Sequence, residues 1–366
     1  MSDSLRTYHA VKERVCQTLP AEDAHIVSNV SLMVTGLVRS RSVQQKDVAS
    51  EVPLRTQDRS FEQRQRRFLM NERVDVDRIY APFVRPFMQA RKGRMIPLIL
   101  DGSAAGYHCQ MLVAAVGYQH RALPLTWLTR QGHRGHFLAT DHLDVVRRAA
   151  KLVPEDTEVV LLGDGEFGNV PLADDATRRG WSFVFRTCCD DTVWLDGEQY
   201  TLAEFTVQPD EVLWLENVLW TGGQFGPVNV LVTWNEDEQA PMYLITNFDL
   251  PDEALYWYKR RFWIEPMFRD DKSMGFRLQT SHLRDPERMK RLLLIVSVAY
   301  LWILFLGSLV VFCGAVRLIS RADRRDCSLF SYGLRWLPRL LKLDRHLPVR
   351  FCPYSSLHLR PAGPVG

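Results

Sequence analysis

Short apolar runs separated by turn-forming residues dominate the middle of the chain, and their lengths suit buried strands better than helices. These runs cover 95–101, 109–117, 122–129, 159–164 and 181–186. A helical pattern of apolar positions covers 140–152, between the third run and the fourth. The pattern therefore predicts an α/β core over 95–187. Its order is three strands, a helix, a fourth strand, a second helix and a fifth strand.

The first 94 residues have a different period and are expected to be helical. Apolar residues recur at helical intervals over 24–39, and the polar segment that follows suggests a turn into a second helix. This helix-turn-helix-like pattern is followed by the basic positions Arg64, Arg66 and Arg67, which we expect to face phosphates. Region 1–94 is interpreted as a helical DNA-binding region, and a small helical packing domain is the alternative.

The rest of the chain divides into three further segments. Residues 188–248 alternate in strand fashion between turn signals, which predicts a β-rich insertion, and 249–314 is expected to complete the core. Within that second part, 292–314 carries no charge, so it is either a membrane span or a helix buried on all sides. We expect burial and no membrane partner. Residues 315–366 form a basic C-terminal segment.

Charge is distributed unevenly although the formal net charge is only +3. Residues 1–94 hold 17 Lys and Arg against 11 Asp and Glu, and 315–366 hold 10 against 3, so the remaining central part is acidic. Basic ends around an acidic core suit a polyanion that the ends hold while metal ions bridge it to the core. A simple scatter of solvated charges is the alternative for the N-terminal part.

Cysteine usage indicates the cellular setting. The chain has seven cysteines with no zinc-binding spacing, and its N-terminus has no basic-then-apolar signal pattern. A reduced, cytoplasmic environment is the expectation that follows.

Two carboxylates end apolar runs, and each is followed by glycine. Asp101 ends the run 95–101 and Asp164 ends the run 159–164. In open α/β sheets, catalytic and binding groups gather where central strands end. A strand-ending turn is the alternative for each Asp-Gly pair taken alone. Acidic groups that converge repel one another unless a cation neutralises them, and hard oxygen ligands without Cys or His suit Mg²⁺ or Mn²⁺.

A third carboxylate lies in a patterned polar helix. Tyr258, Arg261, Glu265 and Lys272 follow at intervals of three, four and seven residues. At roughly 100° per residue these side chains fall on one helix face, within an arc of about 60°. A core-facing stripe would be apolar at those positions, so the face is expected to be a polar working surface.

The order Asp, Asp, then Tyr-(2)-Arg-(3)-Glu-(6)-Lys resembles the DDE transposases of bacterial IS4-type insertion sequences, over roughly 25–315. The resemblance implies an RNase H-like catalytic core, with its first and fourth strands adjacent. It implies that Asp101, Asp164 and Glu265 are the catalytic triad and hold two Mg²⁺ or Mn²⁺ ions.

The same resemblance assigns further roles. Tyr258, Arg261 and Lys272 match the signature helix, whose basic members contact DNA phosphates near the element's end. Tyr243 stands where relatives place an aromatic ring that stacks on a flipped base. The N-terminal segment would grip the terminal inverted repeats, and two ends would be synapsed by a homodimer on the bacterial nucleoid.

Two residues depart from the family pattern. Glu166 stands where many relatives have a basic residue, and Pro266 directly follows Glu265. Because proline lacks a backbone N–H, either the helix is kinked there or Pro266 lies in a first turn. The expected activity is cleavage of element ends and strand transfer into target DNA. The alternatives are an RNase H-like nuclease without strand transfer, or a non-catalytic DNA-binding or membrane-associated protein.

Overall fold

The computed structural model describes residues 2–54, 56–132, 136–235, 238–320 and 327–354. The N-terminal region is helical, as predicted. Its helices are α1 (Asp3–Thr18), α2 (Ala24–Ser40), α3 (Gln45–Ser50), α4 (Asp58–Met70) and α5 (Val76–Gln89). Side chains of Asp23 and Asp75 accept from backbone N–H groups in the first turns of α2 and α5, which fixes where these helices begin.

The five predicted core strands are all present, with helices between the last three. They are β1 (Met95–Ala105), β2 (Cys109–Tyr118), β3 (Arg121–Gln131), α6 (Ala139–Ala150), β4 (Glu158–Gly163), α7 (Val170–Arg178) and β5 (Ser182–Thr187). Strands β3, β2 and β1 form an antiparallel meander, and β4 and β5 follow in parallel. The first and fourth strands are neighbours, so the mixed, RNase H-like strand order is confirmed.

The β-rich insertion continues this sheet instead of forming a body of its own. It supplies β6 (Thr192–Leu195), β7 (Glu198–Thr201), β8 (Val212–Trp220), β9 (Phe225–Thr233) and β10 (Met242–Thr246). The last of these pairs antiparallel with β5, which gives one ten-stranded sheet in the order β3-β2-β1-β4-β5-β10-β9-β8-β6-β7. The chain therefore returns from the insertion directly beside the core strands.

The signature segment is not the single helix that its spacing predicts. It consists of α8 (Pro251–Tyr258), a 3-10 turn (Arg261–Trp263), α9 (Ile264–Arg269) and a π-helical turn (Asp270–Met274). Pro266 is the third residue of α9, so it lies in a first turn, where its missing N–H breaks no hydrogen bond within that helix. Tyr258 and Lys272 consequently belong to different helical segments.

A long apolar helix, α10 (Pro286–Phe312), runs through the centre of the protein. By length and composition it could cross a membrane, and 89% of its most apolar window is buried inside the protein. It packs against β3 and against α2, α4 and α5, and Arg291 on it donates to the Leu69 carbonyl at 3.1 Å. The N-terminal helices therefore share one hydrophobic core with the sheet.

The C-terminal segment adds a helix, α11 (Leu329–Lys342), against α10. Gly307 and Gly333 allow this close approach: a Cβ added to Gly307 would lie 1.8 Å from the Leu329 carbonyl oxygen. Residues 321–326 and 355–366 of the predicted basic segment lie outside the described residues.

Candidate active site

Sheet register brings the first two predicted carboxylates together. Strands β1 and β4 are parallel, with Ile99 opposite Leu162. The same register carried two residues further places Asp101 level with Asp164. Neighbouring strands are about 4.8 Å apart, so the two carboxylates stand side by side at the end of β4.

The third carboxylate approaches from the helical layer. Arg261 places its guanidinium between two acids: its Nη1 lies 3.7 Å from Asp101 Oδ2, and its Nη2 lies 3.5 Å from Glu265 Oε1. The Arg261 and Asp101 side chains are largely buried, whereas the Glu265 side chain is 50% exposed. The guanidinium also lies over the Phe262 ring, 4.2 Å from its centroid. Arg261 is thus the cation that joins β1 to the first turn of α9.

Asp101 is in an unfavourable environment for a negative charge. Burial raises its pKa to about 7, and the nearby Asp164 and Glu265 carboxylates add to that rise. Arg261 and a hydrogen bond from the Gly102 backbone oppose the rise without cancelling it. The three carboxylates are therefore close enough for two of them to disturb the ionisation of the third.

The carboxylates at this site are the kind of ligand that binds a hard divalent cation. Carboxylate oxygens are the ligands that Mg²⁺ and Mn²⁺ prefer, and a bound cation would relieve the repulsion at Asp101. Within the described ranges, however, no group of three Asp, Glu, His or Cys side chains is arranged closely enough to hold a metal ion. The residues fit the ion chemically, and Arg261 supplies the positive charge between them.

Lys272 and Tyr258 flank these acids on different segments. Lys272 Nζ donates to Ser103 Oγ at 2.5 Å, and Ser103 lies two residues beyond Asp101 on β1, so both point to the same face. Burial lowers the pKa of Lys272, and Asp271 and Asp101 oppose that shift. Burial raises the pKa of Tyr258, which Arg261 opposes. Lys272 is thus held near Asp101, although the single helix face is absent.

Four further predicted DNA contacts lie outside this cluster. Arg64 bonds Asn29 and Ser28 of α2 at 2.7 and 2.9 Å, which ties α4 to α2. Arg66 donates to Gln45 at 2.9 Å, and Arg67 is exposed. Tyr243 lies in β10 and is 6% exposed. Strand β5 separates β10 from β4, and the register places Tyr243 level with the residue after Asp164. The structure does not bring these four residues to the carboxylates.

One polar cluster beside Asp164 was not anticipated as a unit. The Glu166 carboxylate accepts from the Phe137 backbone N–H at 2.6 Å and lies 3.3 Å from Nε2 of the buried His142. Its own N–H donates to Asp164 Oδ1 at 3.0 Å. These bonds lower the pKa of Glu166 against the effect of burial. Glu166 therefore anchors the loop that carries Asp164 to the start of α6.

Arg186 is a second residue that sequence reasoning missed. By register it stands on β5 level with Asp164, and its charge acts on Tyr258. Its side chain is exposed at the edge where the carboxylates lie. No local motif marks it, because only the pairing of β4 with β5 brings it to the site.

Asp164 directly follows β4, whereas Asp101 lies within β1, which continues to Ala105 and so does not end at Asp101 as the sequence pattern predicted. An RNase H-like sheet with carboxylates at these two positions is the arrangement expected of an enzyme that acts on nucleic acid backbones. The family of the transposase DDE domain matches residues 102–302, which is more than half of the chain and includes Asp164 and Glu265. The chain belongs to this family. Asp101 lies directly before the matched range.

Comparison with other proteins adds little to this assignment. No curated protein sequence matches the chain. Among solved structures, a piggyBac transposase synaptic complex with hairpin DNA, determined by cryo-EM, is similar at 11% identity and a TM-score of 0.48. The similarity covers 96% of this chain and 83% of that one.

Proposed function

We propose that the protein is the transposase of a bacterial IS4-type insertion sequence. It cuts phosphodiester bonds at the element's ends and joins the freed 3′ ends to target DNA. The observation that carries the proposal is that Arg261 lies between Asp101 and Glu265, while Asp164 and Glu265 are near enough to raise the pKa of Asp101, in a chain of the DDE transposase family.

Asp101, Asp164 and Glu265 would together hold two Mg²⁺ or Mn²⁺ ions. Bound ions of this kind supply an activated water and stabilise the leaving 3′ oxygen in an in-line displacement. The protein's part is to favour ionisation of Asp101. Arg261 does so by stabilising the charged form of a carboxylate whose pKa burial raises, and it opposes that rise without cancelling it.

Basic groups beside the carboxylates would hold the DNA. Lys272 and Arg186 both lie at the carboxylate end of the sheet, where each can neutralise a phosphate. Tyr258 would position the strand by hydrogen bonding or stacking. The partners are double-stranded DNA, as terminal inverted repeats and as target, and a second copy of the chain, because both ends must be held together. Seven free cysteines agree with the cytoplasm of a bacterium, at the nucleoid.

The test is cleavage of DNA taken from either side of the gene. Purified protein with Mg²⁺ should nick duplexes that contain the element's ends, and chelation should stop the reaction. Alanine at Asp101, Asp164 or Glu265 should abolish nicking and spare DNA binding. Asp249→Ala is the matched control, because it removes an exposed carboxylate between β10 and α8. Nicking by all three triad variants at the control's rate would refute the assignment.

Strand transfer separates this proposal from a nuclease of the same fold. A pre-cut end with a free 3′-hydroxyl, incubated with supercoiled plasmid, should become covalently joined to the plasmid. Nicking of ends without any joined product would favour the nuclease.

A further inference from the structure

A groove of about 500 Å³ lies between the N-terminal helices and the segment that follows the π-helical turn. Three cationic side chains line it: Lys46 on α3, Arg66 on α4 and Arg288 at the start of α10. One carboxylate lines it as well, Glu62, which lies 3.9 Å from Arg66. In the part of the chain that the structure describes, Lys46 and Arg288 have no ion-pair partner. The groove therefore presents uncompensated positive charge.

The groove is connected to the active site by the chain itself. Beyond Asp101, β1 continues to Ala105, and the next turn contacts the groove's wall: Tyr107 N–H donates to the Ser281 carbonyl at 3.0 Å. The exposed Tyr107 ring stacks on His282, with ring centroids 4.8 Å apart. Ser281 and His282 both line the groove. The turn that follows β1 and its aromatic stack therefore lie at the groove's wall.

Distance along β1 sets the spacing between the two sites. Four residues separate Asp101 from Ala105, the last residue of β1, and a strand rises about 3.3 Å per residue, so the strand spans about 13 Å beyond Asp101. Duplex DNA rises about 3.4 Å per base pair, so this span corresponds to roughly four base pairs. A duplex that is cut at the carboxylates and runs along β1 would reach the turn at the groove's wall after about that distance.

We propose that this groove is a second DNA-backbone site, which holds phosphates of the end duplex about four base pairs or more from the bond that is cut. The proposal rests on the proposed function for the identity of that duplex. Three side-chain cations on separate helices suit a rod of regularly spaced phosphates, and the groove's glutamine and hydroxyl side chains are common phosphate partners. Binding by these groups is sequence-independent, so it would position the DNA and leave base readout to other residues.

The first experiment measures binding without catalysis. Fluorescence anisotropy of a labelled 24-base-pair mixed-sequence duplex is followed in EDTA over a range of salt concentrations. The test variant carries Lys46→Gln, Arg66→Gln and Arg288→Gln. The matched control carries Arg85→Gln, Arg147→Gln and Lys151→Gln, which removes the same charge from exposed positions on and just after α5 and α6. Unfolding in urea checks that both variants fold.

Three lost phosphate contacts should reduce the slope of log affinity against log salt by up to about 2.7. Affinity at 0.1 M salt should fall roughly 100-fold in the groove variant, and by much less in the control. Equal salt slopes in the two variants would overturn the proposal. Because no cutting is involved, this result is independent of whether the wild type cleaves DNA.

A second experiment locates the contact. Once the wild-type cleavage position is mapped, neutral methylphosphonates are placed about four to eight base pairs from it. These should weaken binding to the wild type and have little effect on the groove variant, since the contact is already lost there. Equal weakening in both proteins would place the contact elsewhere and overturn the assignment. Failure of the wild type to cut any flanking DNA counts against the proposed function alone.

Discussion

Replacing Arg261 by alanine removes the cation that lies between two acidic side chains. In the structure its guanidinium is 3.7 Å from Asp101 and 3.5 Å from Glu265, and the Arg261 side chain is only 10% exposed. Asp101 already has a pKa of about 7 with Arg261 present. We expect the variant to hold Asp101 in its protonated form at neutral pH, which a metal ligand cannot be.

The size of the effect follows from the contact with Asp101, because Glu265 is half exposed and screened by water. Two unit charges about 4 Å apart attract by about 4 kcal/mol at an effective dielectric of 20, which is a ceiling. The 3.7 Å separation from Asp101 is an ion-pair distance and not a hydrogen bond, so the loss should be a fraction of that ceiling, about 1.5–3 kcal/mol. That range corresponds to a rate loss of roughly tenfold to 150-fold. It also corresponds to a rise of about one to two in the pKa of Asp101.

The assay is single-turnover cleavage of a short end duplex from pH 6 to 9 at subsaturating Mg²⁺, where the proton on Asp101 competes with the metal ion. A carboxylate that must be ionised produces a rate that rises with pH, so a higher pKa moves that limb to higher pH. Arg261→Lys should recover only part of the rate, since an ammonium cannot reach both acids as a guanidinium does. Arg260→Ala is the control, because its charge lies over Tyr256 instead. Identical pH profiles for Arg261→Ala and Arg260→Ala would refute the reasoning.

Three further outcomes are expected. Ser103→Ala and Lys272→Ala should each slow cleavage. The double variant should be no slower than Lys272→Ala, because the two side chains share one hydrogen bond. Additive losses in the double variant would show that Ser103 does not position the lysine. Gly307→Ala should lower the unfolding free energy in urea by about 1–3 kcal/mol, because its Cβ meets the Leu329 carbonyl, whereas Gly222→Ala, with open space around it, should not. Burial raises the pKa of Asp270 to about 7, although Arg121 opposes the shift. The folded state therefore binds the Asp270 proton more tightly than the unfolded state does. As a result, the free energy of unfolding should fall as pH rises from about 4 to 7. Asp270→Asn should make that fall shallower, by up to about 4 kcal/mol, and an unchanged pH dependence would contradict the shift.

Local pattern predicted the strands and the first two acids because both depend on neighbours in the sequence. The run 95–101 is apolar enough to be buried on both faces of a sheet. Asp101 is the position at which this run becomes polar, which made it a candidate site residue. The 63 positions between Asp101 and Asp164 equal the offset of the β1–β4 register, so adjacency alone aligns them.

Features that depend on distant pairing could not be predicted. The insertion joins the main sheet through β10 and β5, and no local signal specifies that partner. The signature segment changes helical type three times. Within it, Asp270 pairs with Arg121 of β3, and Lys272 donates a hydrogen bond to Ser103 of β1. Both partners are remote in sequence. Arg186 enters the site for the same reason, by pairing of strands remote in sequence.

The continuous ten-stranded sheet has a consequence for synthesis of the protein. Strand β10 pairs with β5 and leads into α8 within a few residues, and Glu265 follows shortly after α8. The ribosome therefore makes Asp101 and Asp164 about a hundred residues or more before Glu265. A polypeptide released between those points would contain the N-terminal helices and both aspartates but would lack the third carboxylate of the proposed triad.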